Sequence, residues 1–487
     1  VLRRTRPRRA FDRSTAKTIN SDDEDGSLVT VRSINPRTGQ VIRELPSSTP
    51  SELRDALARA RRCQRKWYTE TSSEERASLI KELEVVCLRR RDEVVNLMHD
   101  EVGIPKKALA GAYNSALSGV DHYIEEYLAS VDRIYTLPSS WTATDATISF
   151  HPHGVIGHIG VWNFPFWQTM ITAIPALLAG NAVVFKPSEL STLSGLKIAE
   201  LVREAGYPED LYIPVVGGAD IGKLMVASDF DAITFTGGIE TGMEIARNAG
   251  IKPLILELSG NDAGIVRADA DVEQAARGIA YGTFGRGGQV CVRIKRVYAH
   301  EEVVDELQER LVSIAGRLSV EDDIGPLIRG EARANVHRVV RDAVDRGAEL
   351  LCGGEVPEGP GYFYPPTVLR HSDDELEVVR EETFGPVCPV RAVGSDDEAI
   401  ALANDTRYGL GATVWTSDPE AGVEMAGKLD AGNIWVNECV RTLPGGEYFQ
   451  GWKQSGIPSS MSRLQMFTKK KTIVAHRSCE PRAHWFC

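Results

Sequence analysis

GVIGHIGVW at 154–162, NAVVFKP at 181–187, LYIPVVGG at 211–218, DAITFTG at 231–237 and PLILEL at 253–258 are short β-rich runs. Helical stretches such as LSGLKIAELVREAG (193–206) and TGMEIARNAG (241–250) separate them. That alternation predicts βαβ units around a mostly parallel sheet, an α/β architecture. Ligands of such sheets bind beyond the carboxyl ends of the strands. The polar residues following each run are therefore the first candidates: Asn163, Lys186 with Glu189, Gly237 with Gly238, and Glu257.

Residues 261–440 repeat the pattern, with helices expected near 271–283, 301–318 and 331–346 and β-rich IKRVYAH and GATVWTS. This predicts a second α/β domain of similar size. Upstream, 28–45 reads as a strand pair turning at Asn35-Pro36 and Gly39. Thr49-Pro50-Ser51-Glu52 reads as a helix start with Pro at the first position and a capping box. Leu53, Ala56, Leu57, Ala60 and Cys63 follow on one face. A second start at Ser72 opens a run with Leu79, Ile80, Leu83, Val86 and Cys87 inside, so Cys63 and Cys87 are expected to be buried. The β-prone segment 134–152 and the tail KKTIVAHRS fit neither domain.

Composition narrows the function. The chain has 487 residues, 42% hydrophobic and 25% charged, an ordinary globular make-up long enough for two or three domains. A net charge of −12 argues against a nucleic-acid or anionic-membrane partner and leaves a small molecule. Eight cysteines without CxxC and ten histidines without HxxxH predict no metal site and a reducing compartment, the cytoplasm. No apolar run reaches the length that spans a bilayer. The basic start VLRRTRPRR is followed by acidic SDDEDG rather than an apolar segment, so residues 1–27 are expected to form a polar arm.

Two residues stand out chemically, 34 positions apart (291 − 257): Glu257 in LELSGND and Cys291 in FGRGGQVCVR. A thiol nucleophile with a carboxylate that activates water suits a covalent oxidation of an aldehyde. Taken alone, Cys291 is equally a small buried hydrophobe and Glu257 a salt-bridged strand end. Asn163 in VWNFPFWQ is either a turn residue or the amide of an oxyanion hole. FTGGIETG (235–242) places glycines at a strand-to-helix turn suited to a pyrophosphate, although it is not GxGxxG.

The order of GVWNFPFW, GNAVVFKPSE, FTGGIETG, LELSGND, GGQVC, EETFGPV, YGLGATVWT, GNIWVN and GWKQSGI resembles the NAD(P)-dependent aldehyde dehydrogenase superfamily from about residue 30 to 475. The resemblance implies an aldehyde dehydrogenase-like fold: two doubly wound domains and a β-arm that mediates homodimers or homotetramers. It places a cofactor domain at 28–133 and 153–258, a catalytic domain at 259–446, and the bridging element at 134–152 and 447–487. Cys291 would be the nucleophile. Asn163 and the Cys291 amide would form the oxyanion hole, and Glu257 would activate water. Lys186, Ser188 and Glu189 would meet the adenosine ribose, and Gly237, Gly238 and Gly242 the pyrophosphate turn. Glu382 would hold the nicotinamide ribose, with Trp162 and Phe384 near the ring. Glu189 favours NAD over NADP, since a carboxylate accepts from a 2′-OH and repels a 2′-phosphate. NADP stays possible.

Against the family pattern, Gly238 stands where a serine is usual, which predicts weaker cofactor binding. Ser259-Gly260 replaces Gly-Gly. PGGEYFQGWKQSGIPSSMSRLQMF departs from the usual C-terminal segment and lacks its acidic residue. Trp167, Phe164, Arg293 and Arg441 are candidates for the aldehyde entrance. A CoA-acylating enzyme and a catalytically silent member are the alternatives.

Overall fold

The apolar runs become strands because their β-branched side chains are buried on both faces, as in Val155–Ile159 and Ala182–Lys186. The computed structural model describes residues 29–131, 144–441, 449–457 and 464–476. The expectations for 1–27, for 134–143, and for the C-terminal segment at 442–448, 458–463 and 477–487 lie outside the described residues.

Five parallel strands form the first sheet in the order Tyr212–Pro214, Ala182–Lys186, Val155–Ile159, Ala232–Gly237, Leu254–Leu258. Ile159 is level with Lys186 and with Phe235, and Gly237 with Leu258, so the carboxyl ends form one edge. Glu101 braces that edge from behind. Its buried carboxylate accepts from the backbone N–H of Leu193 and Ser194 and from the Ser33 and Ser194 hydroxyls. It thereby satisfies the free amides at the start of helix Thr192–Glu204.

After Leu258 the chain crosses through Ser259-Gly260-Asn261 into a second sheet, whose order is Glu349–Cys352, Thr367–Arg370, Val387–Val393, Ile294–His300, Asp262–Val266, Gly411–Trp415, Asn433–Val436. All neighbours are parallel except the first pair. The helices Val272–Phe284, Val304–Ala315 and Gly330–Asp345 fall where periodicity placed them. The second is shorter because Glu301–Val303 turn before it starts.

Thr30–Ile34 and Val41–Pro46 pair antiparallel, and both Thr49 and Ser72 make full capping boxes. Cys87 is buried, but Cys63 is only half-buried. The inner stripe of its helix runs Leu53, Ala56, Ala60, Gln64, Trp67 and leaves Cys63 on the margin. The orphan β-prone pieces find each other: Thr144–Pro152 pairs antiparallel with Thr468–His476 as a two-stranded ribbon, with Ile473 and Val474 exposed. Among the described residues no helix is long and apolar enough to cross a membrane.

Candidate active site

The carboxyl edge of the first sheet meets the amino end of the second at one cleft of about 1070 Å³. Glu257 comes from the first, the last strand but one residue from its end. Cys291 comes from the second, just before strand Ile294–His300. The rule that ligands gather at carboxyl ends thus locates only half of the site.

Cys291 is held by an unusual backbone. Helix Val272–Phe284 ends, and Arg286, Gly287 and Gly288 follow with φ of 57°, 66° and 69°. A Cβ at Gly288 would lie 2.0 Å from the carbonyl oxygen of Gly385, so only glycine lets this turn press against the EETFG loop. Gln289 locks the turn: its Nε2 donates to the Pro326 carbonyl at 3.0 Å and its Oε1 accepts from the Ile328 amide at 2.9 Å. The Cys291 thiol then donates to the Glu257 carboxylate at 3.4 Å.

Burial pushes the Glu257 carboxyl up to about 7, only partly opposed by the thiol hydrogen bond. Burial, and then the Glu257 charge, push the Cys291 thiol well above its ordinary value, with Lys295 opposing. Near neutrality the proton therefore stays on sulfur while the carboxylate is poised to take one.

Asn163 follows strand Val155–Ile159 into the cleft and is buried. Its Nδ2 donates to the Gln289 carbonyl at 2.9 Å, which ties it to the turn carrying Cys291. Its own carbonyl accepts from Arg286 Nη2 at 2.5 Å, and the Arg286 guanidinium lies 4.0 Å over the Phe164 ring.

Of the other expected residues, Trp162, Gly237, Gly238, Glu382 and Phe384 line the same cleft, with Trp162 edge-on to Phe384 at 5.7 Å. Lys186 ends the neighbouring strand, and its buried Nζ donates to the carbonyls of Pro187 (3.0 Å) and Gly217 (2.9 Å). Glu189, half exposed, lies 3.8 Å from that ammonium, and the Ser188 hydroxyl accepts from the Leu190 amide. Gly242 does not face the cleft. It sits inside helix Ile239–Asn248, where a Cβ would meet Leu258 at 2.4 Å, so its glycine serves close helix–strand packing. At the entrance Phe164, Trp167 and Arg293 line the wall, but Arg441 does not. Arg441 is largely exposed and lies 3.7 Å from Glu438.

The cleft suits a dinucleotide on its own geometry. Helix Ile239–Asn248 starts at Gly238 with its free amides toward the cleft, and nothing lies within 4 Å of a Cβ built there. Lys186, Ser188 and Glu189 do not line this cleft, and the half-exposed Glu189 carboxylate has the Lys186 ammonium 3.8 Å away.

Two residues escaped the sequence reading. Lys295, almost fully buried, donates to Glu382 at 2.5 Å, to the Gly260 carbonyl at 2.7 Å and to the Cys291 carbonyl at 3.1 Å. It stands 5.5 Å over the Phe384 ring. Arg286 is the other. For Lys295 the available signal was the basic residues packed into apolar VRIKRV (292–297), which a buried strand tolerates only with partners; Arg286 in FGRGGQ gave none.

A family model described as the aldehyde dehydrogenase family matches residues 23–473. An aldehyde dehydrogenase of Paenarthrobacter nicotinovorans is 34% identical over 458 residues, covering 91% of this chain and 99% of that protein. Betaine aldehyde dehydrogenase of Bacillus subtilis (strain 168) is 34% identical over 474 residues, covering 93% of this chain and 95% of that protein. Among solved structures, a point mutant of betaine aldehyde dehydrogenase from Staphylococcus aureus in complex with NAD+ superposes with a TM-score of 0.88 at 27% identity, covering 94% of this chain and 96% of that one.

Proposed function

The chain belongs to the aldehyde dehydrogenase family, and from that premise we propose that it oxidises an aldehyde to the carboxylic acid through a covalent intermediate on Cys291. The observation that carries this reading is the 3.4 Å contact between the Cys291 thiol and the Glu257 carboxylate in the cleft that Asn163 also lines.

The thiol proton passes to Glu257, which releases it to solvent, and the thiolate adds to the aldehyde carbon. The resulting oxyanion is met by the Asn163 amide and the Cys291 backbone N–H. When bound, a nicotinamide cofactor supplies the hydride acceptor that lets this adduct become a thioester. Glu257 then takes a proton from a water molecule as its oxygen attacks the thioester carbonyl. The carbon–sulfur bond breaks, the acid leaves and Cys291 is regenerated. A carboxyl near 7 suits a group that must both accept and release a proton at neutral pH.

Lys186, Ser188 and Glu189 would hold the adenosine end, with Glu189 selecting NAD; Gly237 and Gly238 would admit the pyrophosphate. Glu382, oriented by Lys295, would hold the nicotinamide end beside Trp162 and Phe384. The ribbon of Thr144–Pro152 and Thr468–His476, with its exposed Ile473 and Val474, would join subunits of a homodimer or homotetramer.

The test is NADH absorbance with Cys291→Ala and Glu257→Gln. Cys291→Ala abolishes turnover. Glu257→Gln gives one burst of NADH per site and a steady rate about 1,000-fold lower. Acylation survives in that variant because solvent takes the thiol proton more readily once the Glu257 charge that raises the thiol has gone. Full steady activity in either variant overturns the proposal. A steady rate that CoA alone restores would instead favour the CoA-acylating alternative, and silence of the unaltered chain the non-catalytic one.

A further inference from the structure

Burying a guanidinium without a carboxylate is costly, and this cleft does it twice. Arg286 is 6% exposed and Arg293 2%, and both line the wall that holds Cys291. Among the described residues no carboxylate lies within ion-pair distance of either. Their hydrogen bonds go to neutral carbonyls: Arg286 to Ala108 (3.3 Å) and Asn163 (2.5 Å), Arg293 to Tyr281. The Nε of each is buried and has no partner. Aromatic faces provide the remaining support, Phe164 under Arg286 and Tyr281 under Arg293.

The two cations also feel each other. Burial, and then Arg293, bring Arg286 down to about 9. Burial lowers Arg293 as well, opposed by Tyr281. A pair of mutually repelling, desolvated guanidinium groups beside a reactive thiol lacks one thing, an anion. Exposed residues lining the cleft do not supply the answer, since Lys107 and Arg317 equal Asp322 and Asp323 in number and Arg277 is paired with Glu273.

We infer that Arg286 and Arg293 form a receptor for the far end of the substrate, and that the enzyme selects aldehydes bearing an anionic group, a carboxylate or a phosphate, over uncharged ones. The inference rests on the proposed oxidation at Cys291 for its placement. The guanidinium fork matches either oxyanion in a bidentate way, and desolvation strengthens the contact. The apolar remainder of the wall, Trp167 and Phe449 among it, would hold the carbon chain between the two ends.

The experiment compares kcat/KM for three short substrates with NAD: a four-carbon aldehyde acid, a three-carbon aldehyde phosphate and butanal. At least one anionic aldehyde should exceed butanal by about 100-fold, the scale of a buried charged contact. Which of the two leads distinguishes carboxylate from phosphate. Arg293→Leu should cut that preference ratio by about 100-fold, and Arg293→Lys should restore part of it. Butanal equal to or better than both anions in the unaltered enzyme overturns the inference, and that measurement needs no variant. If none of the three is oxidised, the proposed reaction is at fault, and calorimetry of butanedioate against butanamide decides the receptor separately. Binding of the dianion that Arg293→Leu weakens supports the receptor; equal or absent binding of both overturns it.

Discussion

The carboxyl edge of the five-stranded sheet and the amino end of the seven-stranded sheet face each other across the cleft, and they are built by opposite rules. The first presents its groups on strand ends: Lys186, Gly237 and Glu257 each stand where a buried apolar run stops. Its one reactive charge is a carboxylate that burial holds near 7. The second presents a left-handed turn and a wall of buried cations, Arg286, Arg293 and Lys295. On the proposed reading, base function comes from one side and charge compensation from the other.

Changing Lys295 tests the cationic wall most severely. Among the described residues it is the one ion-pair partner of Glu382, and both are largely buried. Lys295→Met leaves that carboxylate uncompensated, and we expect about 3–5 kcal/mol of lost stability, read from denaturant unfolding. An unchanged midpoint would mean that Lys295 does not neutralise Glu382. On the opposite edge, Asn163→Ala should lower kcat by about 100- to 1,000-fold with an ordinary melting curve. A loss of stability with kcat intact would reduce Asn163 to a brace for the Gln289 carbonyl. The smallest effect is one of pH. Glu257 acts when ionised, so acid removes the base, and kcat should fall about tenfold per pH unit below roughly 7. A flat profile through that range would take the deacylation step away from Glu257.

The difference between the two sides also explains what could be read from the chain. Asn163, Lys186 and Glu257 were legible because a continuous apolar run stops abruptly at or near a polar residue, a local signal. The Cys291 turn was legible as glycine-rich, but the three successive left-handed residues depend on the approach of Gly385, about 100 positions away, which no local pattern encodes. Lys295 and Glu382 meet only because their segments flank one cleft. Arg286 reads as a loop cation until its guanidinium is seen buried on Phe164. The ribbon was half legible: both strands were β-prone, yet their mutual pairing spans most of the chain. Cys63 and Arg441 show the complementary limit, since helical spacing and proximity in sequence did not tell which side of an element faces inward.

Strand Leu254–Leu258 is the edge of its sheet, and its free side is closed by a bridge from Glu257 to Gly456, with the Ile457 amide donating to the Leu256 carbonyl. That partner arrives 199 positions later (456 − 257). During synthesis the residues proposed to do the chemistry are thus all made well before the backbone that pairs with Glu257. A ribosome that stalls short of this point releases a chain with its thiol present and its catalytic strand unclosed. The edge of the strand that carries Glu257 is closed last.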